Sequence, residues 1–115
     1  MCKTLISVVV ATYNGERFLE KQLDSILHQT RPADQVIIRD DGSTDNTVAL
    51  AERFIQEHHL EGGWRLVRAE QNEGYCLNFL RGIALAQGDL IFLSDQDDLW
   101  LPEKIACMAQ AMEQN

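Results

Sequence analysis

The side chains best suited to chemistry in this chain are the carboxylates of Asp95, Asp97 and Asp98, which follow directly on the apolar run Ile91, Phe92 and Leu93. Such a run reads as a strand buried on both faces. Side chains alternate faces in extended backbone, so Asp95 and Asp97 point one way and Gln96 the other. Like charges at close range raise each other's pKa unless a cation or a donor separates them. Acids gathered at a strand end therefore suit a hard divalent ion with oxygen ligands. A second reading needs no ion: Asp97 and Asp98 supply negative charge to the N-terminus of the helix that Pro102 opens. The residues of this stretch alone leave both open.

Positioning these acids requires a core, and 115 residues that are 45% hydrophobic and 24% charged suffice for one compact domain. With 18 acidic against 10 scattered basic residues, the formal charge of −8 argues against a nucleic-acid surface. Cys2, Cys76 and Cys107 have no zinc spacing and no even framework, which points to free thiols in a reducing compartment. No apolar run approaches the roughly 18 residues of a membrane span, and no signal peptide or anchor is evident.

The elements alternate. Leu5 to Ala11 reads as a central strand, followed by a helix from about Gly15 to Gln29 with Asn14 as its cap, its apolar residues Phe18, Leu19, Leu23, Ile26 and Leu27 recurring every three or four positions. Val36 to Ile38 is a second buried strand running into Asp40, Asp41, Gly42 and Ser43, where Asp41 suits the turn and the cap of the next helix. That helix turns Val48, Ala51, Phe54 and Ile55 inward and ends near His58. Trp64 to Arg68 alternates and so belongs near a sheet edge. A third helix presents Leu77, Leu80, Ile83 and Ala84 inward and stops at Gly88; a fourth presents Ile105, Met108, Ala109 and Met112. Four alternations predict an α/β domain with a mostly parallel sheet and helices on both faces. Its three polar clusters, ATYNG, RDDGSTD and SDQDD, all follow strands, the edge where such sheets bind ligands.

Several chemistries are excluded. The turn TYNGERF has one glycine, so it is not a dinucleotide-binding phosphate turn, and no GxxxxGK[ST] loop is present. DDGSTDNT lacks the glycine and distal glutamate of a calcium loop. No Ser, His, Asp set or Cys, His pair supports covalent catalysis. A receiver-like signalling module, the alternative from another class, needs a lysine at a later strand end, and none follows a strand here.

Four ordered stretches, SVVVATYNGERFLEKQLDSILHQT, VIIRDDGSTDNT, NEGYCLNFLRGI and GDLIFLSDQDDLWLPEKI, together resemble the family 2 glycosyltransferases of the GT-A fold over nearly the whole chain. The resemblance implies transfer of a sugar from a UDP- or dTDP-sugar donor to an acceptor hydroxyl of a glycan or lipid-linked acceptor. Inversion and assistance by a divalent cation, manganese or magnesium, are implied with it. It assigns Thr12, Tyr13, Asn14 and Glu16 to the nucleotide site and Asp40 to the base. Asn72, Gly74 and Asn78 fall beside the nucleotide, with Leu77 where many members carry a basic residue. Asp95 and Asp97 match the DxD motif, Asp97 on the metal and Asp95 on the ribose or the metal shell. Trp100 reads as a lid or packing aromatic.

Family members carry their catalytic base in a second half. Residues 1–115 are therefore expected to be the donor-binding part, with the acceptor part absent, no base to name, no transfer by this part alone and uncovered apolar surface that favours homo-oligomers. The SDQDDLW form is similar to rhamnosyltransferase-like members in bacterial cell-surface polysaccharide synthesis, which implies a cytoplasmic protein, peripheral to the inner membrane at full length.

Overall fold

The computed structural model describes residues 4–95 and 98–114. The element order is β1 (Ile6–Thr12), α1 (Leu19–Leu27), β2 (Gln35–Asp40), α2 (Thr47–Glu57), β3 (Trp64–Arg68), α3 (Tyr75–Leu85), β4 (Leu90–Ser94) and α4 (Lys104–Glu113). All pairings are parallel and the strand order is β3-β2-β1-β4. The chain steps outward from β1 to β3, then returns to the far side of β1, so the order reverses between β1 and β4. Ligands of open α/β sheets bind at such a junction, outside the carboxyl ends of the strands. β1 is buried along its whole length and β3, at the edge, is only partly buried, as its alternation predicts.

The two faces are covered unequally. Val8, Val10, Val36, Ile38 and Phe92 pack under Leu19, Leu23 and Ile26 of α1, Ala51, Phe54 and Ile55 of α2, and Ile105 and Ala109 of α4. The opposite face is covered by α3 through Phe79 over Val9 and Ala11. The fit is close enough that a Cβ on Gly82 would lie 2.5 Å from Val9 Cγ1, so this helix position needs glycine.

Four local expectations are corrected. The segment after β1 enters α1 through a turn closed by Phe18 N and Leu19 N on the Gly15 carbonyl, so the helix begins at Leu19. Asn14 does not cap it: in the left-handed region at φ 48°, its side-chain oxygen accepts from Thr44 N at 2.8 Å and binds the next loop instead. The inner face of α3 is Asn78, Phe79 and Gly82, while Leu77 and Leu80 are exposed; α4 buries Ile105 and Ala109 and exposes Met108 and Met112. Apolar periodicity picks the stripe of large side chains, but a helix on a flat sheet can bury its smallest residue. Gly88 does not end α3, which closes at Ala86. A Cβ at Gly88 would lie 2.6 Å from Ser7 Oγ, so its role is close approach to β1.

Candidate donor site at the carboxyl edge

Parallel pairing brings Tyr13, Asp41 and Asp95 to one edge of the sheet. Thr12 and Asp40 are register partners on β1 and β2, and there the buried Thr12 hydroxyl donates to Asp40 Oδ1 at 2.7 Å. The same oxygen accepts from Ser43 Oγ at 2.6 Å, and Oδ2 accepts from Ser43 N at 2.8 Å. Asp40 is 0% exposed. Its oxygens face inward and fasten the turn, so the expected reading of a base by Asp40 requires one of these bonds to open. Thr12, with its hydroxyl given to Asp40, is part of this lock.

Asp41 has the opposite fate to the expected turn and cap. Its Oδ1 accepts from Glu73 N at 2.8 Å and Oδ2 from Gly74 N at 3.0 Å, tying the end of β2 to the entrance of α3. Gly42 (φ 79°) makes this possible, because a Cβ there would sit 3.2 Å from Asn72 N. Asn78 is also structural. Its amide accepts from Arg39 Nη1 and donates to the Arg39 carbonyl, both at 2.9 Å, so it is used up inside the α3–β2 contact. Asn72 and Gly74 remain exposed at the edge.

Glu16 lies over the start of α2, accepting from Asn46 Nδ2 at 3.0 Å while its own N–H donates to Asp45 Oδ2. Asp45 closes this second loop, accepting from Thr47 N at 2.9 Å and from the Thr47 hydroxyl. Partial burial pushes the Asp45 carboxyl up, but the Thr47 hydroxyl, the Thr47 amide and Glu16 N outweigh it and hold the group below its ordinary 3.8. A depressed folded-state pKa contributes stability above the unfolded value, and that stability is lost as pH falls through the folded value. Melting temperature should therefore fall steeply below about pH 4, and Asp45→Asn should flatten this acid limb. An unchanged limb in the variant would remove Asp45 from the effect.

On the α3 side, a cleft of about 440 Å³ runs between β4 and the helix, lined by Tyr75, Phe79, Leu80, Leu93, Asp95 and Asp98. Asp95 and Asp98 are exposed there. They close a turn on each other: Asp95 N donates to Asp98 Oδ2 at 3.0 Å and Asp98 N to the Asp95 carbonyl at 3.1 Å. Tyr13, 43% exposed at the end of β1, is available to a ligand at the same edge. Asp97, the expected metal ligand, lies outside the described residues. Among the described residues no three acids, histidines or cysteines gather to hold a metal. The donor chemistry nevertheless fits a hard cation: carboxylates at a strand end, with space for water or phosphate oxygens to complete the shell.

Trp100 is 6% exposed, its ring 6.0 Å from Phe92 and under Lys104 Nζ at 4.3 Å. It packs rather than forming a lid. A second hollow of about 400 Å³ lies at the amino ends of the strands, where Ser7 Oγ donates to Gln35 Oε1 and Asp34 Oδ2 accepts from Ile6 N. That is the wrong end of the strands for a ligand.

An all-parallel sheet whose order reverses beside an acidic loop defines an open α/β ligand-binding type of fold. A family profile described as "Glycosyl transferase family 2" matches residues 7–115, and the chain belongs to that family. It is 39% identical over 99 residues to the dTDP-rhamnosyl transferase RfbG of Shigella flexneri, covering 84% of this chain and 34% of that protein. Among solved structures it superposes on S. aureus TarS in complex with UDP-GlcNAc with TM-score 0.83 and 25% identity, over 96% of this chain and 31% of that one. The mannosyltransferase PcManGT of Pyrobaculum calidifontis, in complex with GDP-Man and Mn2+, gives TM-score 0.82 and 29% identity, over 97% and 32%. These neighbours carry the GT-A fold. The chain spans about a third of the length of the curated relatives it matches. No helix among the described residues is long and apolar enough to cross a membrane.

Proposed function

We propose that residues 1–115 form the donor-binding part of an inverting glycosyltransferase that moves a sugar from a UDP- or dTDP-sugar to a hydroxyl of a glycan or lipid-linked acceptor. The single observation that carries this reading is the acidic turn at the end of β4, facing a cleft beside the point where strand order reverses. The names of the neighbours support it: one acts with a dTDP-sugar and others hold UDP-GlcNAc or GDP-Man. Asp95 and Asp97 would hold a divalent cation, whose chemistry there is to neutralise charge developing on the departing nucleoside diphosphate. Tyr13 offers the base a flat face, and Asn72 and Gly74 border the nucleotide. We place the protein in cell-surface polysaccharide synthesis, in the cytoplasm beside the inner membrane, where the exposed thiols of Cys76 and Cys107 stay reduced.

The test is calorimetry with UDP, dTDP, CDP and GDP and their sugars, in manganese and in EDTA. UDP or dTDP, free or as the sugar, is expected to bind in manganese and at least about tenfold more weakly in EDTA, a difference of 1.4 kcal/mol or more. Failure of every nucleotide to bind in manganese would refute the donor-site reading. Equal binding in EDTA would refute the cation.

A further inference from the structure

One face of α1 carries polar side chains where apolar ones would be expected. Gln22 and Ser25, three residues apart, share a face of α1, and Gln29 follows in the turn that ends the helix. Gln22 is 1% exposed and Gln29 6% exposed. Every one of them bonds to a residue between Ser94, the last of β4, and Ile105. Gln22 Nε2 donates to Ser94 Oγ at 2.9 Å and to the Asp95 carbonyl at 2.6 Å. Ser25 Oγ accepts from Trp100 N at 3.2 Å. Gln29 Nε2 donates to the Leu101 carbonyl at 2.8 Å, and its Oε1 accepts from Ile105 N at 3.0 Å. Thr30 N adds a backbone bond to the Pro102 carbonyl at 2.8 Å.

We infer that this polar stripe positions the acidic loop for cation and nucleotide, with Gln22 as its principal positioning residue. The inference rests on the functional reading above. Burying two glutamines costs free energy that leucines at the same places would not. A core built for stability alone has no use for them; a loop that must present carboxylates in one geometry does. Gln22 grips the loop at its first turn. The Asp95 carbonyl it holds also accepts from Asp98 N, so one amide fixes the peptide plane from which the Asp95 side chain departs toward the α3 cleft. Ser25 and Gln29 anchor the far end, so that both flanks of the acids are bonded to α1 and the turn that ends it. Loops carrying metal ligands lose affinity when the groups that orient them are removed, typically by about 10- to 100-fold.

The experiment measures manganese half-saturation for UDP or dTDP binding, together with amide hydrogen exchange, in the unmodified chain, Gln22→Met and Ser25→Ala. Ile55→Ala serves as the comparator for plain loss of core packing. Gln22→Met keeps volume and loses both donors; it is expected to raise manganese half-saturation by about tenfold or more and to speed exchange at Asp98 N. Nucleotide affinity in EDTA should stay within about twofold. Ser25→Ala, a milder change in a helix that favours alanine, is expected to raise it about threefold and remains informative if Gln22→Met does not fold. Ile55→Ala should lower the melting temperature with manganese half-saturation unmoved. Unchanged manganese response in both α1 variants, or an equal rise in Ile55→Ala, overturns the inference while leaving the functional reading intact. Absence of any manganese dependence in the unmodified chain overturns the cation reading, and the inference falls with it.

Discussion

Asp40→Ala should lower stability by about 3 kcal/mol and the melting temperature by ten degrees or more, without altering which base is preferred. The carboxylate is fully buried and accepts from the Thr12 hydroxyl, the Ser43 hydroxyl and the Ser43 amide. Removing it leaves three donors facing a void, and each unsatisfied buried donor costs on the order of 1 to 3 kcal/mol before relaxation. Hydroxyls can rotate to other acceptors; the Ser43 amide cannot. Asp40→Asn keeps an acceptor for the two hydroxyls but turns an NH2 toward the Ser43 N–H, so a loss of about 2 kcal/mol is expected. Chemical denaturation measures both. The competing view, with Asp40 reading the base, makes the reverse prediction: stability near that of the parent and a collapsed UDP-to-CDP affinity ratio. That outcome would return Asp40 to the ligand.

The partners of Asp40 and Asp41 show where sequence reading stops. Continuous apolar runs made β1 and β2 legible and alternation made β3 so, but the run of β4, expected to be buried on both faces, leaves Ile91 and Leu93 exposed. Clustering of polar residues after strands made the binding edge legible, since a parallel sheet puts every strand's carboxyl end on one side. Neighbouring acids in a turn are another matter. Both are buried, and which partners each carboxylate takes depends on what lies opposite; Thr12, 28 positions earlier, is visible as a partner of Asp40 only once the register is known. The buried pairing of Asn78 with Arg39 is hidden for the same reason, its partner being on another element. The polar stripe of α1 left a trace, glutamines among Leu19, Leu23 and Ile26, but its meaning depends on a loop some 70 residues away. Propensity and periodicity report on a residue's own element; hydrogen bonds between loops do not appear in either.

Asp97→Asn should bring the UDP or dTDP affinity measured in manganese down to its level in EDTA, and Asp95→Asn should weaken the manganese-dependent part by about 10- to 100-fold. Asparagine keeps the size and one oxygen of aspartate but removes the negative charge that holds a hard cation, so the loss belongs to the ion and not to the fold. Asp98→Asn is the informative contrast. The Asp98 carboxylate accepts from Asp95 N across the turn, a bond that the asparagine oxygen can keep, so its effect should stay within a few-fold and melting temperatures of all three variants should stay close to that of the parent. The order Asp97, Asp95, Asp98 thus separates ligands from turn-formers among adjacent acids of equal charge. If charge alone mattered, the three substitutions would weaken manganese-dependent binding alike, because each removes one negative charge from the same few ångströms. Loss of the response in Asp98→Asn with Asp95→Asn unaffected would move the cation to Asp98, and the expected pairing of Asp95 with Asp97 would have no part in holding it.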